Sequence, residues 1–177
     1  MRPLFIVGYM ACGKTTFGRA LARAAGREFI DLDFYIEQRF RKAIPEIFAG
    51  RGEDGFRRME GAMLREVGEF EDVIISCGGG TPCFLDNMDY MLARGTVVFL
   101  EATPACITRR IIANSSRRPL MAGKSPAEIA DAVDAGLRSR MPHYTRAHIT
   151  FPGDELEDRR QISASVARFL NLHPDLM

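Results

Sequence analysis

The hydrophobic pattern of the chain switches repeatedly between two periods. Short apolar runs rich in strand formers fall at 4–7, 28–31, 73–77, 97–101 and 147–151. Between them apolar residues recur at helical spacing. Phe17, Leu21 and Ala24 share one face of a helix expected from Thr16 to Ala25. A last helix over roughly 156–171 carries Ile162, Val166, Phe169 and Leu170 at i, i+4, i+7 and i+8, one buried stripe. This alternation predicts an α/β fold: a five-stranded parallel sheet with helices on both faces. At 177 residues one domain, 1–177, accommodates it. Two stretches break the pattern. Ala43 to Glu53 carries Pro45, Gly50 and Gly52 and leads into an arginine-containing helix. Asn114 to Pro126, polar and basic with Gly123, has the make-up of a closing lid or of a plain solvated connection. Pro142 is expected to end or kink the preceding helix near Arg140.

The first strand runs into Gly8-Tyr9-Met10-Ala11-Cys12-Gly13-Lys14-Thr15, which fits G-x-x-x-x-G-K-[ST]. The order of strand, loop and helix is what the chemistry needs. Glycines let successive backbone N–H groups turn inward around phosphate oxygens, and the helix N-terminus adds partial positive charge. Gly8, Ala11, Cys12, Gly13 and Thr16 are the candidate cradle. Lys14 would reach the β- and γ-phosphates, and the Thr15 hydroxyl would ligate Mg²⁺. Cys12 places a thiol inside the loop, a candidate for modification. The motif in this context predicts binding of a nucleoside triphosphate.

Charge changes the picture little. The net charge of +1 gives no overall field pointing to nucleic acid or a membrane. Of 24 basic residues only Lys14, Lys42 and Lys124 are lysine; the arginine excess suits anionic small molecules or reflects base composition. The 4 cysteines form no C-x-x-C pair and no zinc spacing with the histidines. There is no charged leader, and no apolar run approaches the roughly 20 residues that cross a bilayer. A monomer in a reducing cytoplasm is the expectation.

Further constellations add acid–base and anion-binding chemistry. Asp31-Leu32-Asp33 ends the second strand, and alternation sends both carboxylates to one side at its C-terminal edge, where open α/β sheets bind ligands. Two acids there could hold Mg²⁺ through water and accept a proton from an attacking hydroxyl. Asp33, preceding Phe34-Tyr35-Ile36, could also cap the next helix. Arg57 and Glu60, at i and i+3 on a helix, can pair; read alone, they form a surface ion pair worth a fraction of a kcal/mol. Gly78-Gly79-Gly80 follows the third strand and strips away every Cβ, allowing a ligand close to the backbone.

Taken together, these residues resemble the shikimate kinase family, from the first strand to about residue 151. The resemblance rests on Gly8 through Arg19, Asp31/Asp33 with Ile36-Glu37, and Ala43-Ile44-Pro45-Glu46-Ile47-Phe48, where the family carries Ser at the first position. It continues through Gly52-Glu53-Asp54-Gly55-Phe56-Arg57-Arg58-Met59-Glu60, Gly78-Gly79-Gly80, Arg118-Pro119-Leu120 and Arg140 to Tyr144. It implies a P-loop kinase fold with a substrate-binding region at about 32–60 and a mobile lid at about 112–125. It implies transfer of the ATP γ-phosphoryl group to the 3-hydroxyl of shikimate, a step toward chorismate and the aromatic amino acids. Asp33, Arg57, Gly79, Gly80 and Arg140 would then hold shikimate and Glu60 would fix Arg57. Lys14, Asp33 and the lid residue Arg118 (or Arg117) would serve catalysis, Thr15 and Asp31 the Mg²⁺, and Arg110 the adenine. Another P-loop kinase, acting on gluconate or a nucleotide, is the alternative enzyme, and the F-R-x-x-E helix and triple glycine count against it. A silent nucleotide-binding regulator is the alternative from another class, and no required group is missing.

Overall fold

The computed structural model of the chain describes residues 1–114 and 123–176. Strands β1 (Leu4–Val7), β2 (Glu28–Asp31), β3 (Val73–Ser76), β4 (Thr96–Glu101) and β5 (Ile149–Pro152) form one parallel sheet in the order β2-β3-β1-β4-β5. Around it pack helices α1 (Lys14–Ala25), α2 (Leu32–Phe40), α3 (Ile44–Gly68), α4 (Asn87–Arg94), α5 (Pro104–Ala113), α6 (Pro126–Tyr144) and α7 (Arg159–Leu172). The expected α/β architecture is present. Leu4-Phe5-Ile6-Val7 is buried along its whole length, as expected of a strand covered on both faces. The sheet order reverses at β1, so the loop leaving it opens into the crevice at the topological switch point.

The amphipathic stripes expected for α1 and α7 meet. Phe17 stacks on Phe151 at 5.3 Å, and Phe169 meets both rings edge-on at 5.6 and 5.1 Å. On the other side Tyr144, at the end of α6, stacks on Phe99 of β4 at 5.1 Å.

Three local expectations need correction. Ala43 to Glu53 is helical rather than a break: α3 starts at Ile44 and tolerates Pro45 in its first turn, where no amide partner is lost. Gly52, at φ 66° and ψ 179°, turns the chain between the two helical stretches merged in α3. Ala43 gives this helix no side-chain cap. Glu46 still reaches back to the Ala43 amide at 2.9 Å, so half of a capping box survives the missing Ser, a loss of about 1 kcal/mol. Pro142 does not end α6 near Arg140, for the helix runs on to Tyr144. The proline falls in the last turn, and the buried Tyr144 ring, stacked on Phe99, holds that turn in place. Finally, β2 stops at Asp31, which itself caps α2 by accepting from the Phe34 amide at 3.3 Å. Asp33 lies in the first helical turn, so the two carboxylates converge around a strand-to-helix turn and not by strand alternation.

Candidate active site

The phosphate loop is built from backbone constraints. Only glycine fits at position 8: its φ is 147°, and a Cβ there would come within 2.6 Å of the Leu100 carbonyl oxygen. Ala11 takes φ 63° without being glycine, a conformation that costs roughly 1–2 kcal/mol. Gly13, also left-handed, caps α1 at Lys14. The Lys14 ammonium donates to the Gly8 and Tyr9 carbonyls at 2.9 and 3.0 Å. It therefore lies along the cradle that the loop forms. Thr15 donates to the Asp31 carboxylate at 2.7 Å, and Thr16 is exposed on the first turn of α1. The Cys12 thiol is fully buried behind the loop, which withdraws it as a site for modification.

Arg110 braces this loop. Its Nη1 donates to the carbonyls of Ala11 at 3.3 Å, Cys12 at 3.0 Å and Gly153 at 2.9 Å. Its Nη2 donates to Asp154 O and its Nε to Glu157, both at 2.9 Å. The rim of the guanidinium is thus committed to protein, and a base could meet only its flat faces.

Across the crevice the triple glycine brings the end of β3 against charged groups. A Cβ on Gly78 would come within 2.8 Å of Asp33 Oδ1, and one on Gly80 within 2.8 Å of Arg57 Nη2. Arg57 donates to Glu60 at 2.9 Å. This is no surface pair: Glu60 is 1% exposed and also accepts the Thr81 hydroxyl at 2.5 Å. The Arg57 guanidinium lies 3.9 Å over the Phe84 ring, and its Nε is buried without a partner among the described residues. A buried carboxylate, itself held by the Thr81 hydroxyl, and an aromatic face hold one arginine with a fixed orientation. Such an arginine is prepared to bind a carboxylate through its fork.

Arg140 reaches the same region from α6, its guanidinium 5.0 Å over the Tyr9 ring and its Nη1 3.4 Å from where a Gly79 Cβ would stand. Tyr144 donates to the Gly79 carbonyl at 2.6 Å, and burial pushes its phenol far above the ordinary value, so it stays a neutral donor. Asp33 is pushed up to about 6, first by burial and then by the Asp31 and Glu60 carboxylates, while Lys14 pulls the other way. A carboxylate so placed is ionised at neutral pH yet basic enough to take a proton.

The expected residues Lys14, Thr15, Asp31, Asp33, Arg57, Gly79, Gly80 and Arg140 gather around the phosphate loop and the end of β3, with Glu60 buried behind Arg57. Arg117 and Arg118 lie outside the described residues. Sequence reading passed over Tyr9, Thr81 and Phe84. Thr81 adjoins the glycines, but its role depends on the buried Glu60, which no local pattern reveals.

The sequence model of the shikimate kinase family matches residues 10–171. The chain belongs to the shikimate kinase family. It is therefore an ATP-dependent kinase with the P-loop fold. A shikimate kinase of Phocaeicola vulgatus is 52% identical over 166 residues, covering 94% of this chain and 95% of that one. One from Bacteroides fragilis is 50% identical over 176 residues, 98% of each. Among solved structures, the shikimate kinase of Bacteroides thetaiotaomicron superposes with a TM-score of 0.95 at 48% identity, covering 98% of both chains. That of Acinetobacter baumannii, in complex with shikimate, gives 0.84 at 30% identity, covering 99% of this chain and 94% of that one.

Proposed function

We infer that this shikimate kinase transfers the γ-phosphoryl group of ATP to the 3-hydroxyl of shikimate, giving shikimate 3-phosphate and ADP. The observation that carries the reading is the buried Arg57–Glu60–Thr81 cluster facing Asp33 across the triple glycine. It offers a fork for a carboxylate and an acceptor for a hydroxyl on one small ring. The Acinetobacter relative, solved with shikimate, supports the substrate class.

In this reading Arg57 and Arg140 bind the substrate carboxylate, Gly79 and Gly80 let the ring approach the backbone, and Glu60 fixes Arg57. Asp33 accepts the proton of the attacking hydroxyl. Lys14 turns from the Gly8 and Tyr9 carbonyls to the β- and γ-phosphates, where charge develops. Amides of Gly8, Ala11, Cys12, Gly13 and Thr16 surround the phosphates, Arg110 offers a face to adenine, and Arg118 closes over the transferring group from the lid at about 112–125. The Thr15 hydroxyl and Asp31 carboxylate, 2.7 Å apart, are hard oxygen donors that fit Mg²⁺, which takes few protein ligands beside water and phosphate. When bound, the ion neutralises charge between the β- and γ-phosphates. The whole chain, 1–177, acts as one kinase domain with its substrate region at about 32–60. We read it as a cytoplasmic monomer; its free thiols suit a reducing compartment, and among the described residues no helix is long and apolar enough to cross a membrane.

The test is ADP release with shikimate, gluconate or a nucleoside monophosphate as acceptor. Release that depends on shikimate alone supports the reading; equal release with gluconate overturns it. Arg57→Lys refines it. Lysine keeps the charge but cannot make two parallel bonds to one carboxylate, and it loosens the pairing with Glu60. Shikimate affinity is expected to fall roughly ten- to a hundredfold, the loss of about 1.5–3 kcal/mol for a charge-assisted bond. ATP affinity should hardly move. Calorimetric titration of both ligands checks this, and equal shikimate dissociation constants would remove Arg57 from the site.

A further inference from the structure

Tyr9 occupies an unspecified position of the phosphate-loop motif, yet it is 3% exposed and makes contacts in three directions. Its carbonyl accepts from Lys14 Nζ at 3.0 Å and from the Cys12 amide at 3.2 Å, which fixes its backbone within the cradle. Its ring lies under the Arg140 guanidinium at 5.0 Å. Its hydroxyl points to the Ala132 carbonyl of α6 at 3.4 Å. The ring has room there only because α6 carries Gly136: a Cβ at that position would come 2.2 Å from the Tyr9 hydroxyl and 2.8 Å from its Cε2. A glycine inside a helix costs about 0.5–1 kcal/mol relative to alanine. In this helix it makes space for the loop's tyrosine.

We propose that Tyr9 is a positioning residue that seats Arg140 for the acid substrate, so that a side chain of the phosphate loop forms part of the acceptor site. The proposal rests on Arg140 binding the substrate carboxylate. The π face supports the guanidinium from below, and its N–H donors, which lie in the guanidinium's own plane, stay available for a planar anion. The loop that receives the nucleotide therefore also carries the platform for the acceptor. The nearby Gly79 backbone, held by Tyr144, closes the other side of Arg140.

Steady-state kinetics on the full chain separates this role from a structural one. Tyr9→Leu removes the ring and is expected to raise the KM for shikimate about tenfold, the order of a partly desolvated cation–π contact. The kcat and the KM for ATP should stay within about threefold. Tyr9→Phe keeps the ring and loses only a long hydrogen bond, so it should restore the shikimate KM. Gly136→Ala crowds the ring and is expected to raise the shikimate KM in the wild-type background, but to add nothing to Tyr9→Leu, because the group it displaces is already gone. Should Tyr9→Leu fail to fold, Tyr9→Met, which fills the space without a π face, carries the same expectation. A merely structural role would lower the melting temperature and the active fraction with no selective rise in shikimate KM. Arg140→Lys serves as the reference. If it raises the shikimate KM while Tyr9→Leu stays within twofold of wild type, or if Gly136→Ala acts equally in both backgrounds, the role of Tyr9 is overturned and the site reading stands. If Arg140→Lys leaves the shikimate KM unchanged, the assignment of Arg140 falls and the proposal with it.

Discussion

Lys14→Ala is expected to lower kcat about a hundred- to a thousandfold while the chain stays folded, the scale on which single preorganised charges act at phosphoryl and acyl centres. The ammonium lies along the loop against the Gly8 and Tyr9 carbonyls, a short rotation from the space the phosphates would fill. Its removal leaves the Tyr9 carbonyl bonded to the Cys12 amide at 3.2 Å and takes the ammonium from the Gly8 carbonyl. A second readout is independent of turnover. Lys14 is the group that pulls the Asp33 pKa down, so without it Asp33 should titrate above about 6. Carboxyl chemical shifts followed against pH would show this. A mutant with unchanged melting and more than about a tenth of wild-type activity would remove Lys14 from the charge-stabilising role.

Much of this site could be read in the sequence because its parts are local. The phosphate loop is a contiguous pattern whose glycines, lysine and threonine act through nearby backbone, so strand, loop and helix followed from one segment. The order of the sheet could not be read this way; it depends on which runs pair, and only the contacts of β1 with β3 and β4 decide that. Arg57 and Glu60 were paired by spacing, but spacing alone makes them a surface pair. The burial to 1% and the Thr81 hydroxyl come from the turn after β3, 21 residues from Glu60 in sequence. Asp31 and Asp33 are not joined by strand alternation, because β2 ends at Asp31 and Asp33 already lies in the first turn of α2. Arg110 shows the limit most clearly. Its bonds to Ala11, Cys12, Gly153 and Asp154 join segments that no local pattern relates, and they make a position suggested for stacking a brace for the loop as well.

Asp33→Asn is expected to lower kcat about 10²–10⁴-fold, the usual contribution of a placed general base, with a much smaller change in ATP affinity. Asparagine keeps the size and one acceptor oxygen but cannot take the hydroxyl proton. The pH dependence follows from the same group. Only the ionised carboxylate accepts a proton, so wild-type kcat/KM for shikimate should fall as pH drops through about 6, and that limb should vanish in the mutant. Stability should move the opposite way. The folded pKa of about 6 lies above the ordinary carboxyl value of 3.8, so between these values the folded chain holds a proton that the unfolded chain has lost. Stability from this group is present below the lower value, falls as pH rises through the window, and stays lower above it. Asparagine is neutral throughout. The mutant should therefore melt higher than wild type above about pH 6 and at the same temperature once both forms of Asp33 are protonated. An inactive enzyme that is more stable at neutral pH is the signature of a carboxylate held charged in a desolvated, acid-crowded place for chemistry. A kcat loss below about tenfold would leave Asp33 a substrate-positioning residue, and an unchanged melting difference across pH would remove its raised pKa as well.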